Sequence, residues 1–358
     1  MGGVVRNINL ECPLPVPSVQ ELAKKLQPEM VPPRYLRDDI AAVNLSDDPH
    51  HAPLIDMSKL VNPDSQRQQE KELQRLHSAC KHWGVFQLIN HGVGDESLRN
   101  MRKKAQEFFD LPLQEKKRCA QKPGSHEGYG QAFVTSEQQK LDWSDMIFLR
   151  TLPIEIRNFN LWPQQPLKFR ETLVTYSEDL RKVAVSVVRL MGMALGLEAY
   201  EEISNAYREG RYEVRMNLYP PCPEPERVLG ISPHTDISGI TLLLDCGNIP
   251  GLQVLKDGKW VTVLPIHGAI FVNIGHVSEI MSNGIYKAPY HRAIVNRLKE
   301  RLSVATFCYP NSTVNIGPAE ELTKWGNRPL YKTLTFAEYK HKFYNRRLED
   351  SFIEMIKM

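Results

Sequence analysis

At 358 residues the chain can bury a large core, in one domain or two. Charged residues make up 24% and hydrophobic ones 42%, the balance of an ordinary globular protein in water. The 45 basic and 42 acidic residues leave a net charge of +3, too small to argue for nucleic acid or an anionic membrane as partner.

The start, Met1-Gly2-Gly3-Val4-Val5-Arg6, has no apolar signal core, and Arg6 stands where N-myristoylation requires Ser or Thr. No window approaches the ~18 uncharged apolar residues of a membrane span. The end, Met355-Ile356-Lys357-Met358, carries no retention or peroxisomal signal. Cys12, Cys80, Cys119, Cys222, Cys246 and Cys308 form no C-x-x-C pair and read as reduced thiols. The expectation is a cytoplasmic monomer acting on a small molecule.

Residues 1–52 read as an N-terminal extension. Its first 14 residues look unstructured, Ser18 to Leu26 reads as a helix with Ser18 and Glu21 as a capping box, and 37–52 reads as a polar linker. Residues 53–165 form a second region. Pro53–Met57 is a predicted strand, Glu70–Trp83 a helix with Leu73, Leu76 and Cys80 on one face, and Gly84–Asn90 a strand. A helix follows with Leu98, Met101, Ala105 and Phe108 on its face, stopped at Asp110-Leu111-Pro112. Gly128–Phe133 reads as a turn entering a strand, and Asp142–Phe148 as another strand.

Within 166–200, Phe169, Leu173, Tyr176, Leu180, Val183, Val187, Leu190 and Ala194 step by three or four, which predicts a long amphipathic helix backing a sheet. From 209 to 310 the texture becomes short β-rich runs: Val214–Tyr219, Thr241–Leu244, Leu252–Leu255, Trp260–Val263, Ala269–Ile274, His291–Val295 and Ser303–Phe307. Asp257-Gly258 and Asn283-Gly284 mark turns between them. The reading is a mainly β fold with flanking helices around a double-sheet jelly roll. Residues 311–358 close the chain, with Phe336, Tyr339 and Phe343 at helical spacing.

The chemistry gathers in this β-rich region. His234 and Asp236 are two apart and so share a face on a strand. His291 lies far downstream, with room for several strands to return the chain to the same rim. Two imidazoles and a carboxylate are the donor set of a facial triad that binds Fe(II) and leaves positions open; zinc suits the same ligand types. Beyond His291, Arg301 and Ser303 again share a face, and a guanidinium fork beside a hydroxyl is suited to a carboxylate. That clamp favours Fe(II) with a dicarboxylic co-substrate, since a zinc hydrolase has no need of it.

Around these residues stand Asn217-Leu218-Tyr219-Pro220-Pro221-Cys222-Pro223 and Asn273-Ile274-Gly275. Near the start are Val16-Pro17-Ser18-Val19-Gln20-Glu21-Leu22 and Val31-Pro32-Pro33-Arg34-Tyr35. Over about residues 14–358 the whole pattern resembles the plant 2-oxoglutarate/Fe(II)-dependent dioxygenase superfamily, and within it the senescence-related dioxygenases and morphinan-alkaloid O-demethylases. The resemblance implies a double-stranded β-helix core, a distorted jelly roll. It implies Fe(II) on His234, Asp236 and His291, and 2-oxoglutarate held by Arg301 and Ser303 with help from Asn217 and Tyr219. O₂ completes the reaction and ascorbate supports it. Leu218 replaces an aromatic residue usual in the family, and His276 stands where many relatives carry Asp.

Candidate substrate contacts are Tyr129, Phe133, Phe148, Leu218, Thr235, Phe307 and Tyr309. The expected activity is hydroxylation or O-demethylation of a bulky, apolar plant specialised metabolite, with an alkaloid slightly ahead. The alternatives are a flavonoid, phenylpropanoid or hormone oxidase of the same superfamily, an Fe(II) oxidase that needs no 2-oxoglutarate, and a non-catalytic binding protein on a decayed fold.

Overall fold

Periodicities of 3.6 and 2 alternate along the chain, and the computed structural model turns them into two facing sheets with helices packed outside. It describes residues 14–25, 31–37, 40, 52–324, 327–347 and 350–358. The expected helix end at Leu26 and nearly all of the expected 37–52 linker lie outside the described residues.

Helix α1 (Val19–Lys25) starts after Ser18, whose hydroxyl accepts from the Glu21 backbone N–H at 3.3 Å. Strand β1 (Leu54–Asp56) and the short α2 (Ser58–Val61) lead to α3 (Gln66–His82). Helix α3 begins ahead of its apolar stripe because Ser65 caps it, accepting from the Gln68 N–H. Strand β2 (Val85–Ile89) and α4 (Asp95–Asp110) follow, with Leu98, Met101, Ala105 and Phe108 of α4 all buried. Then come α5 (Leu113–Lys117), β3 (Gly128–Gly130) and β4 (Asp145–Leu152). Helix α6 (Phe169–Ala194) buries the expected positions from Phe169 through Leu190. Helix α7 (Tyr200–Arg208) lacks the long stripe that flags α6.

The β-rich part supplies β5 (Arg211–Tyr219), β6 (Leu229–His234), β7 (Ile240–Asp245), β8 (Leu252–Lys256), β9 (Lys259–Val263) and β10 (Ile270–Ile274). After α8 (His276–Met281) come β11 (His291–Ile294) and β12 (Arg301–Tyr309). Asp257 and Gly258, at φ 50° and 77°, make the β8–β9 turn. Strand β6 escapes sequence reading because Ser232, Pro233 and His234 interrupt its apolar alternation. Helices α9 (Glu320–Thr323), α10 (Phe336–Tyr344) and α11 (Phe352–Met355) end the chain. The expected closing helix over 335–358 is therefore two short pieces, broken where the polar stretch after Tyr344 offers no apolar face.

The large sheet runs β1-β2-β10-β7-β12-β5-β4-β3, and the small one β6-β11-β8-β9. Antiparallel pairing of β2 with β10 carries the large sheet across from the N-terminal region into the jelly roll. Helices α3, α4 and α6 cover the outer face of the large sheet, where Tyr212, Val214, Met216 and Leu218 of β5 join one continuous core with Leu173, Tyr176 and Leu180. Leu243, Phe271 and Ala305 face Leu252, Val254 and Val263 across the gap between the sheets. Burial of that aromatic and aliphatic surface is the main stabilising term. Among the described residues no helix is long and apolar enough to cross a membrane.

Candidate active site

Strands β6 and β11 pair antiparallel with His234 directly opposite His291. The chain leaves β6 at His234, and Asp236 follows two residues on. The Nε2 atoms of His234 and His291 lie 3.7 and 3.8 Å from Asp236 Oδ1. Ligand atoms of all three residues fall within 4.8 Å of one another. His234 Nδ1 lies 2.8 Å from the Ser232 carbonyl oxygen, and His291 Nδ1 3.1 Å from that of Pro289. A carbonyl can only accept, so each Nδ1 carries the proton and donates, which leaves the Nε2 lone pairs turned toward Asp236. Burial and the facing His291 lower the His234 pKa to about 4, so its imidazole is neutral. Burial opposes the Asp236 carboxylate, yet His291 and His234 hold its pKa below the usual value. Asp236 Oδ2 is buried with no hydrogen-bond partner. Two imidazoles with their Nε2 atoms turned inward and an orphaned carboxylate oxygen suit a divalent cation such as Fe(II).

The small sheet carries the two histidines with Asp236 just beyond β6, and the large sheet carries Arg301 and Ser303, the expected carboxylate clamp. Register between β12 and β5 sets Arg301 opposite Tyr219 and Ser303 opposite Asn217. All four line a cavity of about 50 Å³ between the sheets, bordered by His234, Asp236 and His291. Arg301 is fixed on several sides. Its Nη2 lies 2.9 Å and its Nε 3.1 Å from Asp245 Oδ2. Its guanidinium sits 5.3 Å from the Tyr219 ring centroid. A Cβ at position 251 would come within 2.5 Å of Arg301 Cδ, so the backbone there approaches the arginine as only Gly251 allows.

A larger cavity of about 290 Å³ adjoins the triad. Phe133, Phe148, Thr235, Phe307 and Tyr309 line it, together with His234, Asp236, Phe343, Tyr344 and Phe352. Strand alternation gives the site an axis. On β12, Arg301 and Ser303 face the small cavity, Tyr309 the large one, and Phe307 borders both. On β5 the same two-residue step runs from Tyr219 and Asn217 through Arg215 to Glu213, and Arg215 borders both cavities.

Two expected wall residues are not on the wall. Leu218 alternates out of phase with Asn217 and Tyr219, so it points away from the cavities into the helix-backed core and is fully buried there. Tyr129 belongs to that same core, and its hydroxyl donates to Asp145 Oδ2 at 3.0 Å. Asp145 also accepts the Val19 N–H at 2.7 Å, so Tyr129 helps anchor α1.

His276 opens α8, is buried, and donates its backbone N–H to the Asp236 carbonyl at 2.8 Å. Its ring borders the large cavity but is no part of the three-residue cluster. Burial lowers its pKa to about 4. Arg215, Asp245, Ser232, Asp142 and His126 were not among the expected site residues. Arg215 and Ser232 have a signal in the sequence, their two-residue steps from Asn217 and from His234; Asp245, Asp142 and His126 reach the site through folding over long separations.

Residues 52–165 match the family model for the non-haem dioxygenase N-terminal region in morphine synthesis, and residues 207–310 match that of the 2OG-Fe(II) oxygenase superfamily. A flavonoid 7-O-demethylase of Ocimum basilicum is 42% identical, over 96% of this chain and 92% of its own length. Codeine O-demethylase of Papaver somniferum is 39% identical, over 96% and 97%. Among solved structures, that of JOX2 in complex with 2OG, Fe and JA superposes with a TM-score of 0.86 at 36% identity, covering 97% of this chain and 99% of that one.

Proposed function

The chain belongs to the 2OG-Fe(II) oxygenase superfamily, and from that premise we propose that it hydroxylates or O-demethylates a bulky, largely apolar plant specialised metabolite. When bound, Fe(II) with 2-oxoglutarate and O₂ supplies the oxidising power, with release of succinate and CO₂.

His234, Asp236 and His291 hold the metal in this reading. Arg301 and Ser303 take the far carboxylate of 2-oxoglutarate, and Asn217 and Tyr219 align its body. The aromatic wall of Phe133, Phe148, Phe307, Phe343 and Phe352 holds the substrate and excludes water, with Thr235 and Tyr309 at its polar edge. The observation that carries the reading is the junction of two unlike cavities at one triad: a small one with a guanidinium for a dicarboxylate, and a large aromatic one for a flat scaffold.

Relatives with named substrates include a flavonoid and an alkaloid demethylase. One observation favours the flavonoid-type reading. The Arg215 guanidinium borders both cavities. A carbonyl-bearing ring offers it an acceptor.

The test is anaerobic loading with Fe(II) and 2-oxoglutarate, then exposure to O₂ with methoxylated flavonoids and alkaloids. Succinate tied to a product gaining one oxygen marks hydroxylation. Formaldehyde with loss of a methylene marks demethylation. Turnover only with small hormone-like acids overturns the reading.

A further inference from the structure

The N-terminal segment lies outside both family-model matches, which begin at residue 52, yet it reaches the metal site. Residues 31–37 run along the loop that walls the large cavity. Val31 and Tyr35 are buried against Val134, Leu141 and Trp143, with the Tyr35 and Trp143 rings 5.1 Å apart and edge-on. The Arg34 carbonyl accepts the Leu141 N–H at 2.8 Å, and Arg34 Nη2 donates to the Ser136 carbonyl at 3.1 Å. Val134, Gln139, Leu141 and Asp142 of that loop all face the cavity.

Arg37 closes the contact. Its backbone N–H donates to the Arg227 carbonyl at 2.8 Å. Its Nη2 donates to Asp142 Oδ1 at 3.1 Å and to the Ser232 hydroxyl. Ser232 in turn donates both its hydroxyl and its backbone N–H to Asp142 Oδ1. The carbonyl of this same Ser232 accepts from His234 Nδ1.

We propose that Arg37 is a positioning residue for the metal site: by tying Ser232 to Asp142 it holds the carbonyl that sets the ring angle and tautomer of His234. The proposal rests on the reading of His234 as a metal ligand. A ligand imidazole is as well oriented as the group its second nitrogen bonds, and loosening such partners typically costs about 10–100-fold in metal affinity. Asp142 and Ser232 could still pair without Arg37. Its guanidinium adds the bonds that fasten that pair to the N-terminal segment and so to the cavity wall.

The experiment uses the full chain with Arg37→Ala, Arg37→Lys and His234→Ala. Anaerobic Fe(II) titration gives the metal dissociation constant, and thermal unfolding of the metal-free proteins gives their stability. The expected result is Fe(II) affinity about 10-fold or more weaker in Arg37→Ala, with a smaller loss in Arg37→Lys, which keeps a cation but not the fork. A merely structural role lowers the melting temperature and leaves Fe(II) affinity of the folded protein within twofold of wild type; that outcome overturns the proposal. If Arg37→Ala does not fold, Arg37→Lys carries the same comparison. Undiminished Fe(II) binding by His234→Ala instead overturns the ligand assignment itself, so the two failures are distinguishable.

Discussion

Arg301 and Asp245 form a buried ion pair, with Nη2 2.9 Å from Oδ2 and side chains 4% and 5% exposed. The pair occupies one edge of the guanidinium and so aims the rest of the fork at the small cavity. Lys at position 301 keeps the charge but not the fork. Arg301→Lys is expected to weaken 2-oxoglutarate binding by roughly 1.5–3 kcal/mol, the usual worth of a hydrogen bond to a charged group. Titration of 2-oxoglutarate into the anaerobic Fe(II) protein reads this directly, and an unchanged dissociation constant refutes the clamp.

Removing the other partner tests the pair itself. Asp245→Ala leaves the guanidinium uncompensated in the interior, which should cost about 3–5 kcal/mol of folding stability. Urea unfolding of the apo protein measures it. A midpoint equal to wild type would mean that Arg301 finds water or another partner, and that the pair does not fix it.

Leu218 and Phe307 separate packing from recognition. Leu218→Ala opens a cavity in the helix-backed core and should cost about 2–5 kcal/mol while leaving the substrate KM unchanged. Phe307→Ala, on the cavity wall, should raise the substrate KM at a smaller cost in stability. The opposite pattern would return Leu218 to the wall.

His126 makes a pH prediction. Its ring lies 4.6 Å from that of Phe148 and 5.4 Å from that of Tyr344, both ring nitrogens lack partners, and burial lowers its pKa from 6.5 to about 4. The unfolded chain therefore binds the proton more readily. The neutral form's stability is fully present above about pH 6.5 and is lost as pH falls toward 4. His126→Phe gives up no hydrogen bond and suits an aromatic slot. It should match or exceed wild-type stability at pH 7 and lose less between pH 7 and pH 5, by urea unfolding at both. His276 and His234 shift in the same direction, so part of the acid sensitivity remains. Identical losses for variant and wild type would mean that His126 protonates freely in the folded state.

Local rules carried much of this protein. The 3.6-residue stripe of α6 ends where its apolar positions end, and Asp257-Gly258 makes its turn, because backbone sterics and side-chain period act over a few residues. Period two put Arg301 with Ser303 and Asn217 with Tyr219 on common faces, and the same alternation turns Leu218 away from the wall on which it was expected. What brought those faces together is long-range pairing. The His234–His291 and Arg301–Tyr219 registers depend on strands far apart in sequence. No local signal encodes which carboxylate meets Arg301 or which wall Tyr129 joins. Asp245 came to Arg301 and Asp142 to the cavity wall only when the two sheets closed on one cavity, since a buried charge takes whichever partner the packed fold brings within hydrogen-bond reach.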